Sequence, residues 1–126
     1  MKKLLIIPML FMCSMVIGQS KKIIGKPIKI ENLEVAQHDF PEAMTWDNAK
    51  AACAKLGKGW RLPTENELNV MYKNKKKMGG FAFANFAYWS STEYDTANAV
   101  VQCFSNDLQN FFSKNDTFYV RAVRTF

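Results

Sequence analysis

Two stretches with helical spacing follow one another in the middle of this chain, and no strand pattern separates them. Trp46, Ala49, Cys53 and Leu56 recur at intervals of three and four, so they share one helix face. Asp47, Lys50 and Lys55 fall on other faces. Thr45 stands at the N-cap, and Gly57 and Gly59 stop the helix, one of them as a left-handed cap. Thr64 and Glu67 then have the T-x-x-E spacing of a capping box. That box opens a second helix with Leu68, Met71 and Tyr72 as its apolar face. Lys73, Lys75, Lys76 and Lys77 close it, where cations suit the helix dipole, and Gly79-Gly80 ends it.

Strand patterns lie on either side. Ile28, Ile30, Leu33 and Val35 alternate with polar residues, the period-2 signal of a half-buried strand. Downstream, Tyr88 to Thr92 is rich in aromatics and hydroxyls. Residues 97–104 and 108–112 flank the turn Ser105-Asn106-Asp107, and Phe118 to Val123 alternates in a last strand. The order strand, helix, helix, then several antiparallel strands specifies an α+β fold and excludes a doubly wound βαβ sheet.

The amino terminus is patterned differently. Met1-Lys2-Lys3 precedes an apolar run from Leu4 to Ile17, and Val16-Ile17-Gly18 offers small or β-branched residues before Gln19. This is the layout of a secretory signal peptide over residues 1–18, with cleavage expected after Gly18. A membrane anchor is the first rival reading, but the run falls short of the roughly 20 residues a spanning helix needs. A lipoprotein modified at Cys13 is the second, although Phe11 and Met12 are bulky where that processing wants small residues. Export to a periplasmic, cell-surface or extracellular setting follows, with membrane contact through the signal peptide before cleavage. Residues 19–32 read as a flexible lead-in and residues 33–126 as one domain.

Composition excludes several functions. The chain has 126 residues, 17 Lys and Arg against 11 Asp and Glu, and one His. Loss of residues 1–18 leaves 126 less 18, or 108 residues, and removing Lys2 and Lys3 lowers the net charge from +6 to +4. Nucleic acid is therefore not an expected partner of an exported chain with so small an excess. One His and no CxxC pair exclude His-rich and Cys₄ metal sites. The strings GxxxxGK(S/T), GxGxxG, HExxH and GxSxG are absent. No cofactor is expected.

Several motifs, taken in order, resemble a known family. They are Met44 to Lys50, Ala52-Cys53, Gly59 to Thr64, Glu67-Leu68, Tyr88 to Glu93 and Tyr119 to Arg124. Together they resemble the Lcl C-terminal domain family, named after a collagen-like bacterial adhesin, over about residues 33–126. The resemblance implies a C-type-lectin-like fold: two helices packed on a twisted antiparallel sheet, with terminal strands adjacent. It implies binding or adhesion at the cell surface for the named member and supplies no site residues. Members often carry a Cys between the last two arginines, expected to pair with the helix Cys; here that position is Ala122. The calcium motif of sugar-binding C-type lectins is also absent, so no calcium-dependent sugar site carries over.

The candidate site residues each have a bland competitor. Tyr88, Trp89 and Glu93 can form a ligand platform, since aromatic rings stack on sugars and peptides. A central strand whose aromatics fill the core is the commoner outcome. Lys73, Lys75, Lys76 and Lys77 can attract an anionic glycan, against a merely solvated helix end. Trp46 and Trp60 read as packing residues. One of Arg121 and Arg124 is expected to pair with Glu65, Glu67 or Glu93. Cys53 faces the core, whereas Cys103 lies opposite Phe104 in its strand, so two separate thiols are expected rather than a disulfide. His38 reads as a surface residue.

Catalysis finds no support in this inventory. Formylglycine-making enzymes of a related fold need two cooperating thiols in a groove, a role a buried Cys53 does not fit. The sequence therefore reads as a non-enzymatic binding or adhesion module. It would present residues 73–87, 93–98 and 105–117 to an extracellular glycan or protein. The competing reading is a structural or interaction subunit of the bacterial cell envelope without a soluble ligand.

Overall fold

A computed structural model of the chain describes residues 20–79 and 86–126. Residues 20–24 are helical and lead to strands β1 (Ile28–Ile30) and β2 (Leu33–Val35). Helices α1 (Trp46–Ala54), α2 (Glu65–Lys73) and the short α3 (Lys75–Met78) follow. Strands β3 (Ala87–Glu93), β4 (Asn98–Cys103), β5 (Gln109–Ser113) and β6 (Val123–Thr125) complete the fold. They make two three-stranded antiparallel sheets, β1-β2-β6 and β3-β4-β5.

The alternating segment 28–35 is thus a hairpin rather than one strand. Glu31 breaks it by adopting φ 55°, a left-handed conformation that non-glycine residues seldom take. Residues 20–32, read from sequence as a lead-in, contribute Ile23 and Ile30 to the core. Strand β6 pairs with β2, opposing Val35 to Val123 and Leu33 to Thr125, so the terminal strands are neighbours.

Strand β3 divides the core. Trp89 and Ala87 pack with Trp46, Ala49 and Cys53 of α1. Tyr88 points the other way, to Leu68 and Met71 of α2 and to Leu33, Val35 and Val123 of the first sheet. Its first four residues are therefore buried on both faces. The capping box at Thr64 is fully formed: Glu67 N–H donates to Thr64 Oγ1 at 3.2 Å and Thr64 N–H donates to Glu67 Oε1 at 2.8 Å. Thr45 occupies the N-cap of α1 but its side chain caps nothing, and Trp46 N–H donates instead to Lys114 O at 3.1 Å.

A buried charge joins the parts. Arg121 is fully buried, as is its partner carboxylate on Asp39. Its Nη1 donates to Asp39 Oδ1 at 3.0 Å, its Nη2 to Gln37 O at 2.6 Å, and its Nε to Ala36 O. Tyr88 Oη donates to the other Asp39 oxygen at 2.6 Å. Arg124 reaches Glu34 at 3.3 Å. One of the two arginines was expected to pair with Glu65, Glu67 or Glu93; both pair, and with other carboxylates. The true partners lie 82 and 90 residues away in sequence, beyond any local pattern.

Removing one member of a buried pair leaves an uncompensated charge. Asp39→Ala is therefore expected to cost about 3–5 kcal/mol in urea unfolding. Glu67 gives a pH signature. Burial pushes its carboxyl up, but the hydrogen bonds from Arg61 and Thr64 outweigh that and hold it below the ordinary value. A depressed folded pKa stabilises above the unfolded value of about 4.3 and is lost as pH falls through the folded one. Stability of the parent chain should drop over that interval by more than that of Glu67→Gln, which has no carboxylate to protonate.

Candidate functional site

The described structure separates the expected site residues. Tyr88 and Trp89 are both 0% exposed and present no platform. Trp89 Nε1 donates to Met44 O at 2.7 Å and its ring meets Phe118 edge-on at 4.9 Å. Tyr88 is tied to Asp39 as above. This corrects the ligand-platform reading: an aromatic strand buried on both faces has the same residue pattern as an exposed one. Glu93, at the strand's end, is exposed and pairs with Lys114 at 2.9 Å. The hydrogen bond from Lys114 holds its carboxyl below the usual range.

The lysine cluster also divides. Lys73, Lys76 and Lys77 are exposed. Lys75 is half-buried, with Nζ 2.6 Å from the carbonyl oxygen of Phe104 and 4.4 Å from the centre of the Tyr72 ring. It is spent on fastening α3 to the strands, so it leaves the patch. Trp46 and Trp60 are buried. Trp46 Nε1 donates to Ser90 O at 2.8 Å, and Lys50 and Lys114 lie 4.2 and 4.5 Å from its ring. His38 is exposed.

Cys53 and Cys103 are both unpaired. Cys53 lies in the α1 core with Ala122, and burial pushes its thiol up to about 12. A thiol so protonated is a poor nucleophile. Among the described residues no group of three or more His, Cys, Asp or Glu is placed to hold a metal ion. No helix among them is long and apolar enough to cross a membrane.

The surface that stands out lies within residues 93–98 and 105–117, which the sequence reading had on the presented face without singling out these side chains. Tyr94 and Leu108 are 60% and 63% exposed, and Phe111 and Phe112 are exposed on β5. Tyr94 and Phe111 stack face to face, with centroids 3.8 Å apart and planes within 4°. Phe112 lies on the other face of the sheet, 5.0 Å from Phe118. One signal was available: Phe111 and Phe112 are consecutive in a strand, so their side chains take opposite faces and both cannot enter one core. Beside the stack, Asp95 Oδ1 accepts from the N–H groups of Ala97 and Asn98 at 2.9 and 2.7 Å, which shapes the β3–β4 turn. These backbone hydrogen bonds, that of Ala97 foremost, hold the Asp95 carboxyl below its ordinary value.

A shallower feature is an open groove of about 560 Å³ between residues 40–44 and the outer side of α1, bounded by Phe40, Met44, Ala52 and Leu56. Glu42 and Lys55 give it polar margins.

With the fold and these surfaces described, the chain can be set beside known proteins. Residues 26–124 match the Lcl C-terminal domain. The chain belongs to that family. The fold is C-type-lectin-like. The crystal structure of botrocetin is similar at 13% identity, with a TM-score of 0.58, covering 81% of this chain and 98% of that one. Botrocetin in complex with a mutant von Willebrand factor A1 domain gives 12% identity and a TM-score of 0.57, covering 81% and 98%. EMS16, an antagonist of the collagen receptor integrin α2β1, gives 13% identity and a TM-score of 0.57, covering 79% and 97%. No curated protein matches the chain.

For this Lcl C-terminal domain the thiols provide a direct check on the core. Iodoacetamide at pH 8 should leave Cys53 unmodified in the native protein and label it in urea, as read by peptide mass spectrometry. Native labelling of Cys53 at the rate of an unfolded thiol would contradict its burial.

Proposed function

We propose that this domain is a non-catalytic binding module, exported from the cell, that recognises an extracellular protein through the β5 end of its second sheet. The observation that carries the reading is the exposed aromatic stack of Tyr94 on Phe111, beside the β3–β4 turn at residues 93–98. Contiguous exposed apolar surface of this kind marks interaction sites. Aromatic side chains supply large contact area at small entropic cost and dominate binding energies. Botrocetin in its complex with the von Willebrand factor A1 domain and EMS16 as an integrin antagonist support a protein ligand, since both share the fold. Export rests on the layout of residues 1–18.

A second reading has its own observation. Lys73, Lys76 and Lys77 are exposed together around the end of α2 and in α3, a salt-screened attraction for an anionic glycan. An envelope protein met by the same aromatic face would make the domain an interaction subunit rather than an adhesin.

Binding to immobilised envelope extracts and to a glycan array separates these readings. Tyr94→Ala is expected to weaken protein capture about tenfold or more, as truncation of an aromatic anchor does. Lys73→Ala with Lys76→Ala and Lys77→Ala should leave that capture unchanged at physiological salt. Loss on the lysine triple and not on Tyr94→Ala would transfer the site to the basic patch.

A further inference from the structure

We infer that β5 is the docking edge for a second copy of this chain, which adds antiparallel to it and joins two three-stranded sheets into one of six strands. The inference concerns the backbone edge of β5, whereas the ligand proposed above meets the Tyr94 and Phe111 rings on the face of the sheet, and sedimentation reads the first without the second.

Other strand edges among the described residues are covered or blunted. The outer side of β3 is occupied by Tyr119 and Pro63: Trp89 N–H donates to Tyr119 O at 3.0 Å and Ser91 N–H to Pro63 O at 2.7 Å. The outer side of β6 is held by Arg61, which exchanges both backbone hydrogen bonds with Val123 at 2.9 Å. β1 spans three residues, carries Lys29 at its centre and follows Pro27, the usual devices that protect an edge. β5 has none of these: its five residues, Gln109 to Ser113, are uncharged, and the first four are exposed.

The hydrogen-bond phase of β5 fixes what can add to it. Cys103 N–H donates to Leu108 O and Lys114 N–H to Ala97 O, both at 2.9 Å. Leu108, Asn110, Phe112 and Lys114 therefore direct their backbone groups inward to β4, and Gln109, Phe111 and Ser113 direct theirs outward. Two copies related by a two-fold axis normal to the sheet use all three outward residues in one register. Phe111 then opposes Phe111 of the second copy, and Gln109 opposes Ser113 of the second copy. The internal contacts that yield are modest: the Asn110 side chain now accepts from Phe111 N–H at 2.8 Å, and Asp116 N–H donates to Ser113 O at 2.9 Å.

Charge does not oppose a second copy at this edge. The whole chain carries +6, yet this seam is neutral, and Lys114 at its margin is already neutralised by Glu93 at 2.9 Å. In the stated register Lys114 faces Leu108 of the second copy and Asp107 faces Asn115 of the second copy, so no like charges meet. The aromatic faces also become continuous: each Tyr94–Phe111 stack meets its twin across the axis, and cross-strand aromatic pairs stabilise sheets.

The test is sedimentation of the purified protein over a concentration series, with cysteine cross-linking to read the register. The protein is expected to dimerise, and Phe111→Lys, at an exposed position, to weaken the dimer at least about tenfold while the circular dichroism spectrum of the folded protein holds. In a Cys103→Ser background, Phe111→Cys should cross-link to itself under oxidised glutathione. Opposed residues of a hydrogen-bonded pair have Cα atoms about 5.5 Å apart, within disulfide range. Gln109→Cys should not, because it faces Ser113 of the second copy. A protein monomeric up to about 1 mM, the limit of weak association, overturns the inference. So does a dimer indifferent to Phe111→Lys, or one in which Gln109→Cys cross-links as readily as Phe111→Cys.

Discussion

Arg121 joins segments of this structure that lie more than 80 residues apart in sequence. Its guanidinium is enclosed by the backbone carbonyls of Ala36 and Gln37 and by the Asp39 carboxylate, which Tyr88 shares. Burial pushes the guanidinium pKa down, and the adjacent carboxylate opposes that. Backbone hydrogen bonds from Ala36 to Ala122 and from Phe40 to Val120 run beside the same cluster. The chain segment leaving the first sheet is thereby fixed against the segment returning to it, and both against the central strand of the second. A buried ion pair of this kind adds little net stability over an apolar replacement but penalises every arrangement that leaves one charge alone. In this domain it specifies which loop lies over which strand.

With those segments fixed, the two helices complete opposite layers. α1 closes one side of β3 through Trp46, Ala49 and Cys53, and α2 closes the other through Leu68 and Met71. The helices therefore cover β3 and leave β5 at the margin. The exposed stack of Tyr94 and Phe111 follows from this division: the core ends before the sheet does.

Local chemistry was legible and long-range pairing was not. The capping box at Thr64 and Glu67 depends on four consecutive residues, and the structure reproduces it atom for atom. The facing of Cys53 followed from helical spacing, and strand parity put Cys103 and Phe104 in different core clusters; Cys103 nevertheless packs against the same cluster as Cys53, with both thiols free. The C-type-lectin-like fold was legible because separated motifs occur in a fixed order. The partners of Arg121 and Arg124 were not, since three carboxylates nearer in sequence looked equally good. Tyr88 and Trp89 failed as site residues for a related reason. Periodicity tells which residues share a face but not how many faces a strand buries. The break at Glu31 left no mark, because its left-handed backbone is adopted by a residue that ordinarily avoids it.

The first sheet has a mechanical character set by its order β1-β2-β6. β1 and β6 flank β2 and both run antiparallel to it, so they run parallel to each other. The chain enters β1 at one end of the sheet and leaves β6 at the opposite end. Tension applied between the two termini therefore acts along the strands, perpendicular to the hydrogen bonds that join them. Those bonds must yield together in shear rather than one after another. Such a domain resists being pulled apart along its length more than its three-residue strands suggest.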